Sequence, residues 1–552
     1  MPATTARGLL SRSGQVIRSD AAIFAVLTVW AFAPLVALAA HVAVSGGVLV
    51  GTNGADFFDQ FQYLAWIRDE GSHVLASNLW LIGGTPHDYL HPMYLISGLL
   101  WRLGLSIQLA YLIWKPVALL VLFVGFALYA RRLLVGRWAA MSALALALFY
   151  ESPVLAIATW TGHLSPLHRF QLVLTTDDAT ASLNLWGFEH AAIALGLMPV
   201  FLLACERLLA DADRQRRIDP RLTIVAGFAG LLVAWLHPWQ GVTLLSILAV
   251  VWAMRPSRRR LSALFIPGAA TVAPLLYGVA LTRFDRSWSS FQSQSATTGT
   301  GTWWALLASF GPLVALALAG ARRSGDDGER MLLLWPLACA GVYLIVPQFP
   351  PHALAGVTLP LAILAVRGWG RVRTRIVGRI RAGVPPALAG ALALAAVLAG
   401  TVPAMILHAQ GVRDSLAATT GGALTAQEFR LSADQAAAMS YLDRAARRGG
   451  VLAPWLLSMS VPAFTGRAVF AGHPQWQPHG NFVTAGVFFD PATYDPTGAR
   501  HREILRASRA VYVLADCHLR PSLTRQLAPL ARPVRQFGCL TVFETAAEHA
   551  PG

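Results

Sequence analysis

Residues 108–137 read QLAYLIWKPVALLVLFVGFALYARRLLVGR, an apolar run broken by one lysine, Lys115, and closed by Arg131, Arg132 and Arg137. A helix of roughly 20 apolar residues crosses about 30 Å of hydrocarbon, so the stretch is long enough to span a membrane. Its cations gather at one end, as expected where basic segments stay on the cytoplasmic side. Outward from this stretch the pattern recurs. About eleven spans are expected, over 22–44, 108–130, 138–159, 188–208, 222–236, 240–254, 261–281, 303–321, 331–346, 353–368 and 386–408. Composition agrees: 55% of the 552 residues are hydrophobic and 13% charged, and the mean hydropathy is +0.52, which excludes an ordinary soluble globule.

The arginines orient these spans. With Arg7, Arg12 and Arg18 inside, the same side receives Arg131, Arg132 and Arg137, the Arg207–Arg221 loop, the Arg255–Arg260 cluster, Arg322, Arg323 and Arg330, and the run from Arg367 to Arg381. The outer connections hold only Arg68, Arg102, Arg169, Arg283 and Arg286. This alternation requires the apolar 90–104 stretch not to cross, so it is expected to lie at the interface or to re-enter the outer leaflet. The first apolar segment shows no clear small-residue cleavage site and reads as a retained anchor. The net charge of +16 thus has a membrane explanation. No basic patch interleaved with aromatics points to nucleic acid. No zinc spacing, Walker loop, dinucleotide fingerprint or nucleophile elbow stands in a credible context, so ATP coupling is not expected.

Two long outer loops remain for chemistry. Loop 51–107 begins GTNGADFFDQFQYLAWIRDEGSH and carries Asp56, Asp59, Asp69, Glu70 and Asp88 around one internal cation, Arg68. Loop 160–187 carries His163, His168, Arg169, Asp177, Asp178 and Asn184. Acidic loops facing one another over a bilayer suit a carboxylate base, with room for a divalent cation such as Mg2+ or Mn2+. Asp69 and Glu70 stand at the polar end of an amphipathic stretch, where solvated charge is expected without any catalytic role.

An acid soon after the first span, an aromatic four residues on, a glycine-ended amphipathic helix and an HP-x-Y helix together resemble the GT-C superfamily of membrane glycosyltransferases, of the protein mannosyltransferase and aminoarabinose transferase type. Here those residues are Asp59, Tyr63, Gly71 and His91-Pro92-Met93-Tyr94. The resemblance implies a sugar taken from a polyprenyl-phosphate donor and transferred, with inversion, to a glycan, lipid or protein acceptor of the cell envelope at the outer face. It implies an acid of the first outer loop as base, and Asp59 is the matching position. Many members carry two adjacent acids there, whereas Gln60 follows Asp59 and Asp56 lies one turn earlier. Both carboxylates therefore remain candidates, and Asp177 or Asp178 would supply the further acid of the second loop. Tyr63, His91, His168, Arg169 and His237 are the expected substrate-cavity residues. In the PQFPPHALAGV segment the family commonly has an arginine near Pro351 or His352. Either His352 replaces it at the donor phosphate or the anchor has moved to another loop.

Lys115, the only lysine in the chain, lies about two turns inside its span, where an ionisable group defaults to a functional role. It is expected to hold the donor phosphate or else to snorkel to headgroups, and Glu151 is its suggested partner. Arg283 and Arg286, in the polar run RFDRSWSSFQSQSATTGTGTWW, are further phosphate candidates. His237-Pro238-Trp239-Gln240 joins two spans as a cavity histidine or a structural turn. The apolar periodicity stops near residue 408, so 1–408 is expected as the transmembrane domain and 409–552 as an extracytoplasmic α/β or α+β domain. Within the latter, 432–448 reads as a helix, and 450–457, 467–471, 510–514 and 539–544 as strands. Cys517 and Cys539 end two strand-like runs and are a disulfide candidate in an oxidising compartment, the alternative being two separate thiols. Cys205 and Cys339 read as apolar packing. The expected class is thus an all-α polytopic membrane protein of the plasma membrane with a mixed C-terminal domain. The competing reading is a non-catalytic scaffold or a transporter on the same fold.

Overall fold

The computed structural model describes residues 14, 17–53, 57–296, 303–322, 325–377, 401–414, 429–494, 496–516 and 522–546. Among them, seven helical stretches are long and apolar enough to cross a membrane: Ala21–Ser45, Ile107–Leu133, Arg137–Thr161, Glu189–Asp213, Arg258–Phe284, Trp303–Gly320 and Asp327–Ile345. Pro220–Leu236 and Pro238–Met254 are apolar but only 17 residues each. They meet at His237, where Pro238 interrupts what would otherwise continue. Helix Thr358–Val377 is buried over its first half and arginine-rich over its second. The expected last span is described only from residue 401, its 386–400 portion lying outside the described residues. Pro92–Arg102, within the stretch that the charge pattern kept from crossing, is a helix of 11 residues, about 16 Å long, which is half a bilayer core.

The chain divides into two compact units. The first comprises 1–33, 114–279 and 296–411; the second comprises 34–113, 280–295 and 412–552. The second therefore joins the first long loop to the C-terminal region.

In the first unit, Glu189–Asp213 packs on Trp114–Leu133 and on Pro220–Leu236. The contact with Trp114–Leu133 is backbone-close. A Cβ on Gly125 would stand 1.9 Å from the Gly196 carbonyl oxygen, and one on Gly196 would stand 2.4 Å from that of Val121. Small residues that let backbones approach replace the hydrophobic driving force that lipid removes. One end of this unit is knitted by the arginines of the basic connections. Arg131 bonds Asp20 at 2.6 Å, Arg132 bonds Glu206, Arg260 bridges Asp213 and Asp327 at 2.8 Å each, and Arg367 bonds Glu329 and the Leu133 carbonyl.

Lys115 belongs to the opposite end. Its ammonium is fully buried, lies 3.3 Å from Glu189, and donates to the carbonyls of Leu185 and Ala31. This corrects the suggested pairing with Glu151: the carboxylate beside Lys115 is that of Glu189. A lysine sealed at that depth is satisfied by the nearest carboxylate and helix-end carbonyls, because an unpaired buried charge is far costlier. Cys205 and Cys339 are buried free thiols.

In the second unit, β1 (Val48–Leu49) pairs antiparallel with β2 (Arg430–Leu431), tying the end of the first helix to the start of the C-terminal region. Beyond it, β3 (Val451–Leu452), β4 (Tyr512–Ala515), β5 (Ala531–Phe537) and β6 (Leu540–Thr545) form a sheet in the order β3-β4-β6-β5, parallel between β3 and β4 and antiparallel elsewhere. Its core collects Leu452, Phe488, Val513, Leu523 and Phe543, with Ile82 of the first loop packed against them. Ser432 and Gln435 form a capping box that starts helix Ala433–Arg444.

Two local readings change. The strand expected over 450–457 stops at Leu452, because Pro454 opens helix Trp455–Thr465. The 467–471 stretch contributes only a bridge at Val469. Strand β5, ARPVRQF, was not legible because an edge strand carrying a proline, a bulge and two exposed arginines has no apolar alternation. Cys539, in the β5–β6 turn, is disulfide-bonded, and Cys517 lies outside the described residues.

Replacing Gly196 by leucine is expected to destabilise the protein by about 3 kcal/mol, the upper range for overpacking, read as an earlier unfolding transition of the purified protein in detergent.

Candidate functional site

Helix Phe57–His73 is launched by a side-chain lock. The buried Gln60 accepts from the Asn53 backbone N–H at 2.8 Å and returns a bond to the Asn53 carbonyl at 3.2 Å. This places Asp59 in the first helical turn, where the helix dipole favours a carboxylate. Its Oδ2 lies 3.5 Å from the Tyr63 hydroxyl one turn on, and its Oδ1 lies 3.3 Å from Nε2 of His473. The Gln475 backbone N–H donates to Nδ1 of His473 at 3.3 Å, so the proton of the neutral ring sits on Nε2 and points at Asp59. His473 is 1% exposed, whereas the Asp59 side chain is 36% exposed. One partner is fixed and the other is reachable.

The segment carrying His473 is itself held rigid. Trp455 donates to the Gly472 carbonyl at 3.0 Å, Gly472 N–H donates to Gln477 at 2.6 Å, and Asn78 donates to the Trp476 carbonyl at 2.9 Å. Beside it, aromatic rings gather from four parts of the chain. Trp288 lies 4.7 Å from both Tyr89 and Trp476, Trp66 lies 4.5 Å from Tyr89, and Phe291 stacks on Trp476 at 4.1 Å. Sequence reasoning missed His473 and this aromatic group. The available signal was GHPQWQPH at 472–479, a proline-set pair of histidines around a tryptophan in a region otherwise read as a separate domain.

Behind Asp59 the helix is buried. Tyr63 stacks on Tyr94 at 5.2 Å, and His91 stacks on Tyr94 at 3.9 Å. Burial pushes His91 down to about 3, so the ring is neutral, and with 3% exposure it stacks on Tyr94. Asp69 and Glu70 are 5% and 1% exposed, not solvated. Asp69 accepts from the Ser77 N–H and hydroxyl, and Glu70 accepts from the His91 N–H at 2.8 Å. Burial, with Asp69 adding to it, raises the Glu70 carboxyl to about 9 against the pull of that N–H. Arg68 does not neutralise the loop acids. It pairs with Asp443 and lies 4.9 Å from the Trp101 ring. Asp56 lies outside the described residues. Arg283 and Arg286 are exposed and make no ion pair among the described residues.

The first unit holds a second polar group, at the helix ends remote from the arginine network. Asp178, at the end of helix Pro166–Ala179, lies 3.0 Å from Nδ1 of His352. The His237 ring is 5.7 Å from that of His352, and Trp239 and Phe349 frame it at 4.7 and 5.2 Å. Phe349 holds φ 41° ahead of Pro350, a strained setting for a non-glycine residue. Nearby in sequence, Asp177, Glu151 and His408 bring their ligand atoms within 4.8 Å of one another. Glu151 pairs with His408 at 2.9 Å, the partner it has in place of Lys115. Trp30 and Trp186 flank His408 edge-on. The donor set of two carboxylates and one imidazole fits a divalent cation such as Mn2+ better than the all-oxygen preference of Mg2+. His168 and Arg169 are exposed at the far end of the Asp178 helix, about 13 Å of helix away, and do not join this group.

No family model matches the chain, and no curated relative matches it. Among solved structures, the chain is similar to ArnT from Cupriavidus metallidurans bound to undecaprenyl phosphate, at 15% identity and TM-score 0.48, over 96% of this chain and 99% of that one. The apo ArnT of the same organism gives 16% identity and TM-score 0.46, over 95% and 99%. An Archaeoglobus fulgidus oligosaccharyltransferase in complex with Zn and sulfate gives 13% identity and TM-score 0.39, over 85% of this chain and 64% of that one.

The Glu70 geometry sets a pH dependence. A carboxyl whose pKa rises on folding contributes stability that is complete below about 4.5 and is lost as pH climbs through about 9. The melting temperature of the purified protein is expected to fall between pH 5 and 9. Glu70→Gln, which still accepts the His91 N–H, is expected to flatten that slope.

Proposed function

We propose that the chain is a membrane glycosyltransferase that moves a sugar from a polyprenyl-phosphate donor to a hydroxyl of a cell-envelope glycan, lipid or protein at the extracytoplasmic face, with Asp59 as the base. The observation that carries this reading is the Asp59 carboxylate, half-exposed at a helix start, with one oxygen oriented by the Nε2–H of His473. A base needs a fixed orientation and an oxygen that the acceptor can reach, here Oδ2, which accepts only a long 3.5 Å bond from the Tyr63 hydroxyl. In the reaction Asp59 Oδ2 takes the proton of the acceptor hydroxyl as its oxygen attacks the anomeric carbon. The bond from that carbon to the donor phosphate oxygen breaks, the electron pair leaves with the polyprenyl phosphate, and configuration inverts. His473 is a positioning residue that keeps Asp59 turned toward the acceptor. Tyr89 and Trp288, both partly exposed and backed by the buried Trp476, carry rings of the kind that stack on a pyranose.

The donor phosphate needs cations, and Lys115 is buried and already paired with Glu189, so exposed groups are preferred for that role. His352, paired with Asp178 and next to His237, is one anchor, and Arg283 and Arg286 are exposed cations suited to bidentate phosphate contact. A divalent cation held by Glu151, Asp177 and His408 would supply charge neutralisation for a leaving phosphate. The basic connections, gathered at one end of the first unit, favour a cytoplasmic arginine side with these acids opposite.

The test is transfer of labelled sugar from a panel of polyprenyl-phosphate donors by the purified protein in lipid. Asp59→Asn is expected to lower the rate by about 10²- to 10⁴-fold with folding intact. His473→Ala is expected to lower kcat more than it raises KM. Transfer unchanged in Asp59→Asn overturns Asp59 as base and moves the role to Asp56, Asp177 or Asp178. Absence of transfer by the parent from every donor favours the scaffold reading.

A further inference from the structure

The first loop carries a second constellation that the proposed transfer does not use. Asp69 and His73 stand one turn apart on helix Phe57–His73, and His87 is brought to them by the following loop, which the Ala76–Tyr89 bridge closes. Nδ1 of His73 lies 2.8 Å from Asp69 Oδ1, and Nδ1 of His87 lies 3.4 Å from Asp69 Oδ2. The two rings face each other at 4.1 Å, and one ligand atom from each of the three residues falls within 4.8 Å of the others. We propose that Asp69, His73 and His87 bind a divalent transition-metal cation of the Zn2+ type, pinning the 74–90 loop to the helix.

Four features support this. Two imidazoles and one carboxylate are the ligand chemistry of Zn2+, Co2+ or Ni2+ and are poorly suited to Mg2+ or Ca2+, which select oxygen. Tetrahedral bonds of about 2.0–2.2 Å separate ligand atoms by about 3.3 Å, close to the spacings found here. Asp69 is buried and its Oδ2 is already oriented by the Ser77 N–H at 2.7 Å and hydroxyl at 2.8 Å, the outer-shell support that holds a metal carboxylate in place. The two histidines are 53% and 39% exposed, so an ion reaches the site from solvent and completes its coordination with water.

On binding, the cation takes the Nδ1 lone pairs of His73 and His87, each neutral ring keeping its one proton on Nε2, in place of the contacts those nitrogens make with Asp69 at 2.8 Å and with the Leu75 carbonyl at 3.1 Å. The site lies ten residues along the helix from Asp59, about 15 Å, and therefore holds structure without touching the reacting atoms. The Asp69 neighbour, Glu70, bonds the His91 backbone beneath Tyr94, so the metal would brace the same wall that carries Tyr63.

The test uses the full chain, untagged, in detergent or nanodiscs, stripped with chelator and titrated with Co2+ as a spectroscopic probe and Zn2+ as competitor. The expected result is one Co2+ per chain, displaced by Zn2+. Its affinity should fall by more than about 100-fold in His73→Ala and in His87→Ala, both exposed positions that leave melting in chelator unchanged, and persist in Asp59→Asn. Absence of Co2+ binding by the parent overturns the proposal. So does binding that both histidine variants retain, or binding lost only in His408→Ala, which would assign the ion to the Glu151–Asp177–His408 group. Because Asp59→Asn separates transfer from metal binding, the outcome does not depend on the transferase reading.

Discussion

The structure is organised by the cost of placing charge in hydrocarbon. Arg131, Arg132, Arg260 and Arg367 meet Asp20, Glu206, Asp213, Asp327 and Glu329 at one end of the first unit, so helices run from this ionic lattice toward a second polar end. Between the two ends the helices hold each other by close backbone approach, as at Gly125 and Gly196. Lys115 illustrates the same rule. Its ammonium, too deep to reach water, is matched to Glu189 and to two carbonyls.

In the first unit, the polar groups away from the arginine network gather, among the described residues, where helices end. Asp178 and His352, and Glu151, Asp177 and His408, stand at such ends in the first unit. The second unit, described by itself, builds a rigid wall around Asp59. Gln60 locks the entry of helix Phe57–His73, Tyr63, Tyr94 and His91 stack behind it, and the segment around His473 closes over Asp59. The C-terminal region is thus part of the Asp59 environment: β1 and β2 tie it to the first loop, and Ile82 enters its core.

Much of this was legible in the chain. Apolar runs identified the membrane class, and the alternating arginines kept from crossing a stretch that folds as the 11-residue helix Pro92–Arg102. Asp59 with Tyr63 four residues on was readable because helical spacing places i and i+4 on one face. The sheet was partly readable, β4 and β6 from their apolar character, whereas β5 hid behind edge-strand polarity. The burial of Asp69 and Glu70 was illegible, since an acid at the end of an amphipathic helix looks solvated until a second element, here Ser77 and His91, covers it.

Sequence alone determined the solvent each segment requires, because hydropathy and charge are additive properties of neighbouring residues. It also placed Asp59 on its helix, a local consequence of backbone period. Which groups meet was decided only by the tertiary structure: His473 on Asp59 across 414 positions, Glu189 on Lys115, His408 on Glu151, His352 on Asp178. Those partnerships depend on the packing of distant helices and loops, and no short-range pattern encodes a contact whose energy appears only once water has been excluded from both sides.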